Sequence, residues 1–136
     1  MHARGISAFL AILTLLLAAP AGAKSERVFS YRAEDVWPTL LRFLRVDEGL
    51  KIVEKDADAG YVLFELTENK RTFSGAAETV RAKDERGRPA TRVQIRITDR
   101  PSYMEVGMLD RLEQKLRAEL ADPGETSDPS ADAGPR

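Results

Sequence analysis

From Val93 to Ile97 the chain alternates without a break, with Val93, Ile95 and Ile97 on one side and Arg92, Gln94 and Arg96 on the other. A period of two is that of a strand with one face in a core and the other in water, and it predicts a strand over residues 91–98. Other stretches read more dimly as strands. Residues 27–31 are rich in aromatic and β-branched types. Residues 50–55 place Leu50, Ile52 and Glu54 on one face. Residues 61–67 are apolar on both faces, with Val62, Phe64 and Leu66 pointing one way and Tyr61, Leu63 and Glu65 the other. Residues 72–82 are less hydrophobic, and Gly75 within them suggests a bulge or a close backbone approach.

Two stretches carry the helical period instead. Trp37, Leu40, Leu41 and Leu44 form one stripe, which Gly49 ends. Glu34 and Asp35 suit the positive end of that helix, and Pro38 requires the regular part to begin near Asp35, so that the ring lies in the first turn. Near the end, Val106, Leu109, Leu112, Leu116 and Leu120 form a second stripe, flanked by Met104 and Met108. Ser102 and Glu105 stand at the spacing of a capping box at its start. The connections between the later strands are short and polar, which implies hairpins and an antiparallel sheet. The pattern predicts an α+β fold, an antiparallel five-stranded sheet in the order β-α-β-β-β-β-α with both helices on one face. A core of roughly 95 residues can fold without disulfides or a metal.

The ends of the chain read differently. Arg4 precedes an apolar run from Ile6 to Ala19, Pro20 breaks it, and Ala21-Gly22-Ala23 fits a cleavage site. Residues 1–23 are read as a signal peptide, which predicts export to the periplasm; the alternative is an uncleaved N-terminal anchor. The run is short for a membrane span, which needs roughly 20 apolar residues. Residues 24–121 are read as a single α+β domain. Residues 122–136 contain only Asp, Pro, Gly, Glu, Thr, Ser, Ala and one Arg, a composition expected to be disordered.

Composition narrows the function. Lys and Arg number 21 against 22 Asp and Glu, too balanced for a protein that holds nucleic acid by charge. There is no cysteine, and the one histidine, His2, lies in the leader. A chain without His or Cys has no Ser-His-Asp or Cys-His nucleophile and no ordinary zinc, haem-histidine or iron–sulfur ligands. The expectation is therefore a non-enzymatic protein without a cofactor. Asp56-Ala-Asp-Ala-Gly60 has an acidic look, but its glycine falls one position early for a calcium loop, and the residue types are those of a tight turn. Asp47 and Glu48 would need Glu65 or Glu78 nearby to act as an acid/base pair. Arg92 and Arg96, with Arg81 and Lys83 on the neighbouring strand, would make a basic sheet face able to meet an acidic partner or anionic lipid. The second side of the sheet has no third layer to cover it, so Tyr61, Leu63 and Glu65 join Arg92 and Arg96 as the candidate interaction surface.

The succession Val36-Trp37, Leu40-Leu41, Leu44, Gly49, Ile52, Asp56, Gly60-Tyr61-Val62, followed by the helix with Asp110-Arg-Leu-Glu-Gln-Lys-Leu, resembles the outer-membrane assembly lipoprotein family of BamC. The resemblance covers residues 27–120, mostly by element order. It implies a helix-grip-like fold and a cell-envelope setting. The chain departs from that family in having no lipobox cysteine and one domain instead of two. The expected function is an interaction or assembly-accessory module in the cell envelope, with an envelope protein as partner and at most peripheral membrane contact. The alternative is a carrier of a small ligand or lipid in an apolar cavity between the last helix and the sheet, lined by Phe64, Val93, Ile95 and Leu112.

Overall fold

The computed structural model describes residues 25–120; the readings of a leader and of a polar tail lie outside them. The strands are β1 (Glu26–Phe29), β2 (Lys51–Asp56), β3 (Tyr61–Glu68), β4 (Arg71–Lys83) and β5 (Pro89–Ile97). The helices are α1 (Ala33–Arg42), continued by a π-helical turn (Phe43–Asp47), and α2 (Ser102–Glu119). The five strands form one open antiparallel sheet in the spatial order β1-β5-β4-β3-β2. The fold class is thus α+β, as the pattern predicts. Strands β2 to β5 form a meander, and β1 closes the far edge by pairing Arg27 with Val93 and Phe29 with Thr91.

The core lies between the helices and one face of the sheet. Val36, Leu40, Phe43 and Leu44 come from α1 and its π-helical turn, and Met108, Leu109, Leu112 and Leu116 from α2. The strands contribute Phe29, Val62, Phe64, Ala77, Val93, Ile95 and Ile97. Gly75 lies opposite both Phe64 and Ile97 and leaves room for the Phe64 ring, which a Cβ at Gly75 would overlap. The expected close approach is there. The β3–β4 turn is made by Asn69 and Lys70, both at positive φ (50° and 64°), the backbone that matches the twist of a two-residue hairpin.

Several local expectations are corrected. Pro38 lies inside α1, beyond its first turn, because the helix begins at Ala33. The last turn before Gly49 is wider than an α-turn, since the Glu48 N–H bonds the Phe43 carbonyl at 2.9 Å. Gly49, at φ +64°, still ends it. In β2 the register shifts between Ile52 and Glu54, so Ile52 faces Phe64 while Glu54 pairs with Leu63 on the other face. That bulge re-aims one side chain and twists an exposed edge. In α2 the buried positions are Glu105, Met108, Leu109, Leu112 and Leu116; Val106 is exposed, being rotated off that stripe by one residue.

Glu105 is the most consequential of these differences. The residue preceding α2 is Pro101, with no side-chain cap, and Ser102 is already helical, so no capping box forms. The Glu105 side chain turns into the protein instead, leaving the residue 7% exposed. It accepts hydrogen bonds from the Ile97 N–H at 2.7 Å and the Ser25 hydroxyl at 2.5 Å. One carboxylate thus joins the end of β5, the start of β1 and the first turn of α2.

Candidate functional site on the open sheet face

The face of the sheet away from the helices is built by strand alternation and fixed by register. One cross-strand row runs Glu26, Gln94, Glu78, Tyr61, Asp56. On one side of it lies Val28, Arg92, Val80, and on the other Arg96, Ala76, Leu63, Glu54. A further row holds Ser74, Glu65 and Lys51. The five candidate residues Tyr61, Leu63, Glu65, Arg92 and Arg96 therefore share one face. No described element crosses it, because both helices pack on the opposite side.

The face is mixed in character. Leu63 is 37% exposed, Val28 44% and Val80 51%, while Tyr61 and Glu65 are half-buried among their neighbours. The Tyr61 hydroxyl donates to Glu54 at 2.5 Å, across the bulge that brought Glu54 to this side. That bond holds the phenol proton and raises the Tyr61 pKa above its ordinary value, with desolvation and the nearby carboxylates of Glu54 and Asp56 adding to the effect. Lys51 approaches Glu65 at 3.7 Å, a loose exposed pair. Arg92, Arg96, Glu78 and Glu26 make no ion pair among the described residues.

Two expected members are absent. Arg81 stands opposite Thr91 and Lys83 opposite Pro89, so on β4 they alternate away from Val80, the residue beside Arg92. Arg81 instead pairs with Glu34 of α1 at 2.5 Å, a hydrogen bond that holds the Glu34 carboxyl below its ordinary pKa. Conversely, Val28, Val80 and Gln94 belong to the face. Their place depends on which residues stand opposite one another, and the alternation of β4 alone points to Ala76, Glu78 and Val80.

The other acidic candidates are accounted for by local partners. Asp47 pairs with Lys115 and Glu48 with Arg111, each at 2.7 Å, so both tie the π-helical turn to α2. Glu65 and Glu78 lie on the opposite face of the sheet, and no acid pair is assembled. Asp56 accepts the backbone N–H of Asp58 and Ala59 at 3.0 and 2.9 Å, the bonding of a tight turn. Gly60, at φ +76°, brings the backbone against Thr79, whose N–H bonds the Gly60 carbonyl at 2.7 Å.

Other concave regions lie on the surface of the described residues. One, about 690 Å³, runs between the start of α1 and the β2–β3 turn and is lined by Trp37, Pro38, Gly60, Val80 and the Glu34–Arg81 pair. Trp37 is thus only partly buried, packed against the core on one side and open to this groove on the other. The second lies at the end of the sheet near the β4–β5 loop, as two adjoining grooves that share Val28, Ser30 and Arg88. None of these is lined by Phe64, Val93, Ile95 or Leu112. Those four are 0–1% exposed and belong to one packed cluster, in the place where a carrier would keep its ligand. No family model matches the chain, and no curated protein matches it.

Proposed function

We propose that this protein is an exported, non-enzymatic module of the cell envelope that binds another envelope protein through its open sheet face. The observation that carries this reading is the composition of that face. It combines part-exposed apolar side chains at Leu63, Val28 and Val80 with the charges of Arg92, Arg96 and Glu78, which make no ion pair among the described residues. Apolar contacts supply affinity, and charges in fixed register exclude wrong partners. The export reading rests on the apolar run and small residues of the leader, and the resemblance of the residue succession to the BamC family favours an envelope setting. The carrier reading has less behind it, since its lining residues fill the core.

The test is photo-crosslinking in native envelopes. A photoreactive residue at Leu63 should capture a discrete partner, identified by mass spectrometry, and one at the exposed Arg45 beside the helices should not. The combined substitution Arg92→Glu and Arg96→Glu should abolish the capture at Leu63. Equal capture from both positions, or capture indifferent to the two arginines, would remove the open face from consideration.

A further inference from the structure

We infer that the groove between the start of α1 and the β2–β3 turn binds a small organic cation, an alkylated ammonium ion seated on the Trp37 ring beside the Asp58 carboxylate. This site shares only Val80 with the surface assigned above to a partner. It is tested on the protein alone, so either idea can fail without the other.

The groove is built where three chain segments converge. On α1, Ala33 and Glu34 stand one turn before Trp37 and Pro38, so all four share one side of the helix. The β2–β3 turn, residues 57–60, forms the other wall, and Val80 and Arg81 close the space from β4. Gly60 fixes that turn against β4. Its carbonyl accepts the Thr79 N–H at 2.7 Å, and a Cβ there would stand 2.5 Å from the Thr79 carbonyl oxygen. The small side chains of Ala33, Ala57 and Ala59 leave about 690 Å³ beside the indole, within the roughly 300–1,000 Å³ that small-molecule sites occupy. Trp37 packs on the core with one part of its ring system and opens to the groove with the rest.

Charge selects the ligand. The charged side chains of the lining are Glu34, Asp58 and Arg81. Glu34 and Arg81 neutralise one another at 2.5 Å. The Asp58 carboxylate makes no hydrogen bond or ion pair among the described residues, unlike that of Asp56, which accepts two backbone N–H groups of the turn. The lining therefore carries one net negative charge, and that charge is free to act. Its surroundings do not cancel it. Within two residues of the lining segments along the chain, Arg32, Lys55 and Lys83 offset Asp35, Asp56 and Glu78. A cation is attracted both by this carboxylate and by the negative face of an indole, the strongest of the aromatic rings in this respect. Walls of alanine, valine and proline favour alkyl groups on the nitrogen, because bare N–H donors would lose their water there without gaining acceptors. An anion would meet the Asp58 charge, and a neutral ligand would leave it unused.

Trp37 is the only tryptophan of the chain, so its indole N–H gives one isolated NMR signal. Choline chloride, added to the purified, isotope-enriched protein, should move that signal and the amides of Ala59 and Val80 along one saturable curve. Equal sodium chloride should not. The uncharged carbon isostere of choline, with a tert-butyl group in place of the trimethylammonium, should bind about threefold or more weakly. Asp58→Asn should weaken choline by about threefold and leave the isostere unchanged. Trp37→Leu should abolish the shifts at Ala59 and Val80. Trp37 also touches the core, so Asp58→Asn, on an exposed turn, carries the test if that variant does not fold. Shifts that match those of sodium chloride, or that never saturate, overturn the inference. So does equal binding of the isostere, or choline binding indifferent to Asp58→Asn. A response to phosphatidylcholine vesicles without one to free choline would assign the groove to a membrane and equally overturn it.

Discussion

The two faces of the sheet treat charge in opposite ways. On the side of the helices the cations at the rim of the core find acids. Arg27 holds Asp110 and Glu113, Arg111 holds Glu48, Lys115 bridges Asp47 and Glu119, and Arg42 also reaches Glu119. Arg81 joins β4 to α1 through Glu34. On the open side the charged side chains of the described residues make only the loose Lys51–Glu65 pair and the Tyr61–Glu54 hydrogen bond, beside a neutral Thr67–Thr72 contact. Paired charges close one layer over its core; unpaired charges on the other face leave it able to choose what it meets. Exposed pairs are individually weak, so the helix-side set matters more for alignment than for stability.

The comparison is broken most forcefully at two adjacent residues of β3. Phe64 points into the core at 1% exposure and Leu63 points the other way. Phe64→Ala should cost about 3–5 kcal/mol in denaturant unfolding, through lost transfer and the cavity left against Gly75. A loss below 1 kcal/mol would mean that the core is looser than its packing indicates.

Next in size is Glu105. Replacing it with Ala leaves the buried Ile97 N–H without its acceptor, at a cost of about 1–3 kcal/mol. The same change at Glu78, on the open face and without a partner among the described residues, should move stability by no more than about 0.5 kcal/mol. If the two substitutions prove equal in chemical denaturation, the carboxylate of Glu105 is not the junction described here.

Gly75→Ala should cost about 1–3 kcal/mol, because the added methyl group meets the Phe64 ring within a filled core. Combining it with Phe64→Leu, which frees space, should recover part of that loss; additive costs in the double variant would show that the two residues do not share one space.

How much of this was legible beforehand follows from the kind of information each feature uses. Val93, Ile95 and Ile97 announce their face because strand alternation is local, and Gly49 and Gly60 mark chain reversals by their own backbone freedom. Glu105 reads as a cap because spacing from Ser102 is local too; its true partners, Ser25 and Ile97, are brought by the sheet, and the contact with Ser25 spans 80 positions. The β2 bulge that turned Glu54 toward Tyr61 leaves no mark in residue types. Nor does register, which seated Val80 rather than Arg81 beside Arg92. The candidate surface was thus half legible. Its membership along each strand was readable, and its neighbours across strands were not.

Acid should erode the helix side, and base both sides. The carboxyls of Glu34 and Glu119 are held below their ordinary pKa, chiefly by hydrogen bonds from Arg81 and Lys115 respectively. The stability they give is present above about pH 4 and is lost as pH falls through their lowered values. Lys115 is raised by its bonds to Asp47 and Glu119, so its contribution is full below about pH 10 and fades as pH rises through its raised value. Tyr61, raised by Glu54, follows the same sign on the open face. Thermal unfolding against pH should show a plateau between these limits, with Glu119→Gln shrinking the acid decline. An acid decline unchanged by that substitution would remove this link from the account.

The smallest effect is the sharpest test. Leu63→Ala removes the larger part of a side chain that is 37% exposed, so stability should change by no more than about 0.5 kcal/mol. Leu112→Ala, the same chemistry under the helices, should cost about 2–5 kcal/mol. A large loss at Leu63 would mean that the open face is covered in the native protein by something that contributes to folding. A Leu63 that is silent for folding but needed for capture of a partner is the result that separates a binding face from a buried one.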